Sequence, residues 1–494
     1  MDAIILSNGA EGDVPGIIHR YIGPYKLAHF VRKHGHTIQI IDHVARMEPN
    51  QLIASINRFI TPSTKILGLS ATFISQRMHQ WPDGQKHLLP YHVYLAMRVI
   101  KSHYPLIHVI IGGFNSNWLP DWGIVDSSIK EYAEDIFLDL LEHLKLGTPA
   151  PVGIRETVSS RISWKKPNQV RYNIECDDFR FTEHDAILPK ETLPLEVSRG
   201  CIFSCKFCNH PLLGRKKLDY LRSMEMIKQE LLYNHEKWQT TSYVIICDTF
   251  NDTMIKMQAW HEMVMSLPFK IRYAAFLRAD LLQSMPDVPI MLQESGLVST
   301  YHGIESLGLE ASMAVGKGWS GKHARTYIPH LYHDIWKGQI RQQVGFIAGL
   351  PGDTKEDILT WADWFMENDL YHIGIAPLWL AKDMLSPSRL SFELEKHGYT
   401  FPDDDRTVWH LPNWHRKDAI KFVADEFKPR LEQLGKDLTC SPWDVANLMG
   451  RGHNHEFFDK NNLRSIGRTE YSKMTNNIAS SYMKTYTTLL NSVA

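Results

Sequence analysis

The sequence predicts an α/β protein: an N-terminal doubly wound parallel sheet, a partial (β/α)6 barrel of the TIM type, and a mainly helical C-terminal region. Three observations carry this. Short apolar runs alternate with amphipathic stretches over residues 1–150. A Pro/Gly-rich segment, Gly147-Thr-Pro-Ala-Pro-Val-Gly153, then interrupts the alternation. A second alternating series begins at Leu193. Strands that alternate with helices need crossover connections, which make parallel sheets.

In the first series the candidate strands are Ala3-Ile-Ile-Leu6, Thr37-Ile-Gln-Ile-Ile41, Lys65-Ile-Leu-Gly-Leu69 and His108-Val-Ile-Ile111. Each ends in small or turn-forming residues. Tyr25 to His34 and Leu89 to His103 have helical patterning, and Glu134 to Leu146 is an amphipathic helix that closes the unit. The segment 147–153 is the strongest boundary in the chain. Residues 151–190 read as a linker, polar from 154 onward, with room for one short hairpin.

The second series, residues 191–395, offers six strands: Leu193–Val197, Tyr243–Cys247, Arg272–Leu277, Val298–Ile304, Gln342–Ile347 and His372–Leu378. Helical patterns such as Met224–Tyr233 and Lys355–Met366 separate most of them. In barrels of this kind chemistry sits at the C-terminal ends of the strands. Residues 396–494 are more polar and less regular, with a helix expected from Arg416 to Leu434.

Hydrophobic residues make up 44% and charged residues 22%, the composition of a globular chain. The formal net charge of -1 gives no global field for a polyanionic partner. There is also no basic cluster with interleaved aromatics, so nucleic acid is not indicated. The N-terminus lacks the basic start and long apolar run of a signal peptide. No uninterrupted apolar run approaches the ~20 residues that span a bilayer. These features predict a soluble, cytoplasmic protein. Of six cysteines, Cys201, Cys205 and Cys208 fall within eight residues, while Cys176, Cys247 and Cys440 are scattered. That distribution suits a local metal site in a reducing compartment better than a disulfide framework.

The cluster reads Glu196-Val-Ser-Arg-Gly-Cys201-Ile-Phe-Ser-Cys205-Lys-Phe-Cys208-Asn-His210, directly after a strand. Three thiolates on one loop can each bind one iron of a cubane, which ordinarily takes four cysteines. With no fourth cysteine close by, the fourth iron is open to an outside ligand such as the amino and carboxylate groups of a methionine. The competing readings are a zinc site completed by His210, Cys176 or Cys247, and a CxxC redox pair. The C-x3-C-x2-C spacing, Phe207 before the last cysteine and the preceding Arg199-Gly200 resemble the radical SAM superfamily. That resemblance implies a [4Fe-4S] cluster on Cys201, Cys205 and Cys208. The cluster reductively cleaves S-adenosylmethionine (SAM) to a 5′-deoxyadenosyl radical.

Further segments fit the resemblance in order. Asp248-Thr249-Phe-Asn-Asp252 ends the second strand, where the family contacts the SAM amino group and ribose. Phe276-Leu-Arg278-Ala-Asp280 ends the third, where a charge could meet the SAM carboxylate. Gly303-Ile-Glu305-Ser306 resembles the family's GIES segment. Gly316-Lys-Gly318 follows it. Gly345-Phe-Ile-Ala-Gly349-Leu-Pro-Gly-Asp353 resembles the family's GLPGE turn, with Asp353 in place of Glu. Glycine there would let the backbone approach the adenosyl group. The resemblance thus assigns Phe207, Asp248, Thr249, Arg278, Glu305, Ser306 and Gly349 to SAM.

A doubly wound unit before such a barrel resembles the cobalamin-binding domain of the B12-dependent radical SAM group. Leu27-Ala28 and Gly35-His36 sit as in that group's first helix and turn. Ser70 and Thr72 end the third strand, where the group places hydroxyls near the corrin's nucleotide tail. Gly112-Gly113 end the fourth, where missing side chains would let the tail pass. Two departures stand out. Glu131-Tyr-Ala-Glu134 lacks the glycines of the group's Gly-Glu-Gly-Glu turn, and the first loop, Ser7 to Pro15, lacks a histidine to ligate cobalt. A Rossmann-like domain that binds no cofactor is the bland alternative. Methylthiotransferases also carry an N-terminal α/β domain, but theirs supplies three cysteines, and residues 1–150 hold none.

The resemblance implies an enzyme that methylates an unactivated carbon with cobalamin, drawing electrons from a donor such as flavodoxin or ferredoxin. Radical cyclisation or rearrangement without methyl transfer is the alternative, and a zinc-stabilised binding module is the alternative of another class. Most of the 25 histidines and 14 tryptophans are expected to be structural. His453 and His455 read as part of an exposed polar loop.

Overall fold

The computed structural model describes all residues except 10–17, 76–77, 114–115, 117–118, 121, 130–131, 152, 155–161, 165–171, 209–219, 381–387, 403–407, 413, 434–439 and 494. The chain forms two compact units. One comprises Met1–Pro194, Gln229–Thr240 and Met474–Ala494; the other comprises Leu195–Lys228 and Thr241–Lys473.

The first unit contains β1 (Ala3–Leu6), β2 (Ile38–Ile41), β3 (Ile66–Ser70), β4 (His79–Gln80), β5 (Lys86–His87), β6 (His108–Gly112), β7 (Ser127–Ile129), β8 (Gly153–Ile154) and β9 (Ile162–Trp164). Seven of these form one sheet in the order β2-β1-β3-β6-β7-β9-β8, while β4 and β5 make a separate hairpin. The main sheet is parallel except for the antiparallel β8–β9 edge. β1 and β2 are buried along their whole length, as in a sheet covered on both faces. The covering helices include Ile22–Lys33, Pro49–Phe59, Tyr91–His103 and Glu134–Leu146. The last of these stops at Gly147, whose φ of 74° gives a left-handed C-cap. The strand order reverses between β1 and β3, and crevices at such points are where open α/β sheets bind ligands.

The final helix, Arg468–Ser492, supplies Ala479, Tyr482, Tyr486 and Leu490 to the same core as Ile4, Leu6 and Ile41. A buried polar network fixes it there. Arg20 grips Glu191 at 2.7 and 3.1 Å, and the Tyr482 hydroxyl donates to Glu191 at 2.7 Å. The Tyr486 hydroxyl accepts the Asp42 amide N–H at 2.7 Å.

The second sheet is an open run of six strands in sequence order: β10 (Leu193–Leu195), β11 (Ser242–Ile245), β12 (Arg272–Leu277), β13 (Leu297–Glu305), β14 (Arg341–Ala348) and β15 (His372–Pro377). β11 to β15 pair in parallel. Crossover helices such as Met254–Met265 and Lys355–Glu367 cover the outer face. The second of these starts at a reciprocal Thr354–Asp357 capping box. Helical structure also spans Arg416–Gln433, with a π-helical turn at Val423–Phe427. A shorter helix, Pro442–Gly450, packs against β11, β12, β13 and β14. Among the described residues no helix is long and apolar enough to cross a membrane.

Candidate functional site

The cysteine loop leaves β10 through Gly200, whose φ of 87° turns the chain in a conformation that suits glycine. Arg199 pairs with Glu196 at 2.8 Å, and its amide N–H donates to the Tyr220 carbonyl at 2.9 Å. Cys201, Cys205 and Cys208 are half-buried and unbridged. A tight turn joins the last two, with the Cys208 N–H donating to the Cys205 carbonyl at 3.1 Å. Lys206 seats the loop on its surroundings. Its N–H donates to the Val315 carbonyl at 2.9 Å, its carbonyl accepts the Leu390 N–H at 2.7 Å, and its ammonium pairs with Glu393 at 2.9 Å.

Two strand ends reach the thiols. The Thr249 hydroxyl, after β11, lies 3.3 Å from the Cys201 sulfur. Arg278, after β12, donates from Nη1 to the Cys205 sulfur at 3.3 Å. Its guanidinium also stands 4.2 Å from the Phe203 ring centroid. Asp280 holds that guanidinium at 2.6 and 3.1 Å, and the Lys317 carbonyl accepts from Nη2 at 3.2 Å. Burial works against the Arg278 charge, yet Asp280 and the nearby cysteines keep its pKa above the ordinary value. Burial pushes the Cys201 thiol up, and Asp248 and Cys205 add to the shift against the Thr249 hydrogen bond. A thiol so placed needs a cation to ionise it, which a bound metal cluster supplies.

The remaining strand-end residues are paired with one another. Lys317 donates to Glu305 at 2.5 Å and to the Gly303 carbonyl at 2.6 Å, and its ammonium lies 5.8 Å from the Phe207 ring. Glu305 adopts a φ of 69°, an uncommon conformation for this residue type. The Ser306 hydroxyl donates to Asp353 at 2.9 Å. Burial drives the Asp353 carboxyl up to about 7, and Asp357 and Glu310 add to this against the Ser306 bond. Asp248 is exposed at the mouth. Gly349 has a φ of 104°, and a Cβ there would stand 2.3 Å from the Trp409 indole, so its missing side chain makes room for that ring.

This donor set fits an iron–sulfur cluster: three thiols on one loop, with an arginine and a hydroxyl directed at two of them. The alternative fourth ligands have other partners or are undescribed. Cys247 is fully buried, and its sulfur accepts the Ser198 N–H at 3.1 Å. Cys176 belongs to the first unit, where Asn173 donates to its sulfur at 3.7 Å. His210 lies outside the described residues.

Residues 195–365 match the family model of the radical SAM superfamily. That stretch is a radical SAM domain. The chain is an enzyme, and its cofactors include a [4Fe-4S] cluster and SAM. An uncharacterized methyltransferase of Pyrococcus horikoshii is 24% identical over 358 residues, covering 68% of this chain and 71% of that protein. Two solved structures share the fold. The radical SAM methyltransferase TsrM from Kitasatospora setae, solved with its tryptophan substrate and a SAM analogue, aligns at a TM-score of 0.58 and 15% identity. The alignment covers 83% of this chain and 80% of TsrM. The cobalamin-dependent radical enzyme OxsB, solved with aqua-cobalamin and SAM, aligns at 0.54 and 15% identity over 88% of this chain and 56% of OxsB.

In the first unit, Ser70 ends β3 and Thr72 lies just after it, while Gly112 ends β6 and Gly113 follows. The two glycines differ. A Cβ on Gly112 would meet nothing within 4 Å, which leaves an open cradle at the strand end. A Cβ on Gly113 would stand 2.5 Å from the Thr72 hydroxyl, so that glycine makes room for Thr72. Just after β1 the Ser7 hydroxyl is buried and has no hydrogen-bond partner among the described residues. Glu131 lies outside the described residues.

Residue-type reasoning missed two supports of the site. Asn251 locks the Arg278 backbone reciprocally, accepting its N–H at 2.8 Å and donating to its carbonyl at 2.9 Å. Lys256 is buried against Asp252 at 3.3 Å and donates to the Ser198 hydroxyl and the Thr249 carbonyl at 3.1 and 3.4 Å. The only signal for either was the polar run after the second strand.

Proposed function

We propose that this enzyme uses a cluster on Cys201, Cys205 and Cys208 to cleave SAM reductively, and methylates an unactivated carbon with cobalamin held on the N-terminal sheet. The observation that carries the proposal is the convergence of Arg278 and Thr249 on two thiols of one strand-end loop. The open cradle at Gly112 and the orphaned Ser7 hydroxyl support a cofactor at the ends of the first sheet. TsrM and OxsB, which share the fold, are described with cobalamin bound.

Held by Cys201, Cys205 and Cys208, the cluster would supply the one electron that SAM cleavage consumes, and cobalamin on the N-terminal sheet would supply a methyl group. The chain's own groups position and insulate. Arg278 and Thr249 donate hydrogen bonds to the thiolates. Asn251 and Asp280 fix Arg278. Phe207 and the Lys317–Glu305 pair flank the loop, with Asp248, Ser306 and Gly349 at neighbouring strand ends for SAM. Ser70, Thr72, Gly112 and Gly113 are assigned to the cobalamin tail. The electron comes from a donor of the flavodoxin or ferredoxin type in the cytoplasm.

Anaerobic reconstitution followed by iron, sulfide and cobalt analysis and a 5′-deoxyadenosine assay tests the reading. The expected result is 5′-deoxyadenosine from the native enzyme and none from Cys201→Ala, Cys205→Ala or Cys208→Ala. Full activity in the triple variant, or zinc in place of iron and sulfide, refutes it. A product heavier by one methylene unit supports methylation; an unchanged or lighter mass points to cyclisation or rearrangement.

A further inference from the structure

The two faces of the six-stranded sheet differ in burial. The outer face is sealed: on β13 and β14, His302, Ile304, Val344 and Phe346 are buried. The inner face remains partly open: Ile246, Phe276, Tyr301, Gly303 and Ile347 each keep some exposure. These inward residues are accessible to solvent above a floor.

That floor comes from the C-terminal region. The helix Pro442–Gly450 lies across the N-terminal halves of the strands. The Ser299 hydroxyl donates to the Pro442 carbonyl at 2.6 Å, and the Ser242 hydroxyl to the Ala446 carbonyl at 2.8 Å. The helix brings Trp443 to 4.4 Å from the Phe276 ring, and Phe276 lies 5.5 Å from Tyr301 in an edge-to-face arrangement. A Cβ on Gly345 would strike the Tyr301 hydroxyl, and one on Gly374 would strike the Gln343 amide, so these glycines let both polar groups sit in the lumen.

Charge is confined to the two ends. At the mouth, Arg278 is held by Asp280 and Lys317 by Glu305. At the floor, Arg341 is tied to His455 and the Gly338 carbonyl. Among the described residues, the inward positions of β11 to β15 between these levels carry no charged side chain. A charged ligand here would lose hydration without a partner. A flat ring could pack against three aromatic surfaces, an arrangement that aromatic quadrupoles favour, with one amide to orient a ring heteroatom.

We infer that the lumen binds a planar, uncharged aromatic or heteroaromatic ring, with Trp443, Phe276 and Tyr301 as its walls and Gln343 as its polar contact. This substrate class rests on the function proposed above, which places the radical at the mouth of the same barrel. The test is titration calorimetry on the reconstituted full-length enzyme, with indole as probe and cyclohexanol and benzoate as comparators. Indole is expected to bind about ten-fold more tightly than cyclohexanol, and benzoate more weakly than either. Trp443→Leu and Tyr301→Leu are expected to weaken indole about ten-fold each. Tyr301→Phe retains binding, and Ile255→Ala, on an outer helix at 80% exposure, matches the native enzyme.

Equal affinity for indole and cyclohexanol, or unaltered indole binding in both Leu variants, overturns the inference. If either Leu variant fails to fold, the ligand ratio on native enzyme and on Tyr301→Phe decides. The two readings fail separately. Ring-selective binding without 5′-deoxyadenosine formation refutes the cofactor chemistry alone. SAM cleavage without ring selectivity refutes the lumen assignment alone.

Discussion

Arg20→Met perturbs the network that fixes the final helix on the first unit. The Arg20 and Glu191 side chains are 0% and 4% exposed, so neither charge has water to fall back on. Arg20 also donates to the Tyr25 hydroxyl at 2.6 Å and to the carbonyls of Asp185 and Ala186 at 2.9 and 2.8 Å. Removing one partner of a buried pair costs about 3–5 kcal/mol, because the other charge stays buried and uncompensated. The Tyr482 hydroxyl and the Leu188 N–H still donate to Glu191, which favours the lower end of that range. Even so, the loss is a large fraction of the 5–15 kcal/mol typical of a domain. The double variant Arg20→Met/Glu191→Leu removes both charges of the pair and should recover at least half of the loss. The pH dependence has a definite sign. Burial alone would raise the Glu191 carboxyl, but Arg20 holds it below the ordinary value. Its stabilisation is therefore present above the unfolded glutamate pKa and lost as pH falls through the folded one. Without Arg20 the buried carboxyl rises instead, so the variant's deficit should shrink from pH 8 to pH 5. Urea unfolding followed by circular dichroism at both pH values measures this. A single variant within 1 kcal/mol of native, or a double variant worse than the single, refutes the reasoning.

Three further outcomes follow from the second unit. Gly349→Ala meets both a positive φ and the Trp409 indole, and should destabilise the unit by more than about 2 kcal/mol in thermal melts. Asp353→Asn removes a carboxyl that burial raises to about 7. The native stability from the protonated form is complete below the unfolded aspartate pKa and is lost as pH rises through 7, by up to about 4 kcal/mol. The variant should therefore gain on the native enzyme at pH 8 and not at pH 4, as melting curves at the two pH values will show. Arg278→Met removes a charged donor from Cys205, and hydrogen bonds to cluster sulfurs raise the reduction potential. A bond that strengthens by about 1 kcal/mol on reduction moves a one-electron couple by about 40 mV. Spectroelectrochemical titration should show a shift of that order to lower potential.

The fold was legible wherever apolar runs were long enough to fill a strand buried on both faces. Ala3–Leu6 and Arg272–Leu277 have the bounds that the sequence predicts. β7 was not legible, since Ser-Ser-Ile has neither length nor hydrophobicity, and its place comes from pairing with β6 and β9. Nor was the division of the C-terminal region. The last helix belongs to the first unit because Tyr482 and Tyr486 reach Glu191 and Asp42, contacts that span hundreds of residues. At the site, cysteine spacing is local and readable, whereas the approach of Arg278 to Cys205 spans 73 residues. Arg278 reads in the sequence as a partner for a carboxylate; in the structure Asp280 and the thiol already engage it. Gly349 reads as backbone clearance for a ligand, and the structure gives that clearance to Trp409.

These pairings bear on how the barrel mouth works. Arg278 is paired with Asp280, Lys317 with Glu305, and Ser306 with Asp353. Groups held this way need not reorganise during a reaction, and that preorganisation is the main electrostatic contribution a protein can make to cofactor chemistry. It also restricts selectivity. Charges so paired have less left with which to choose a substrate, although Asp248 stays exposed. On the lumen assignment inferred above, discrimination falls to shape and polarisability at Phe276, Tyr301 and Trp443. Trp443 comes from the C-terminal region, outside the residues that match the superfamily model. If the lumen chooses substrate as inferred above, Trp443 can vary in sequence independently of the radical-generating domain.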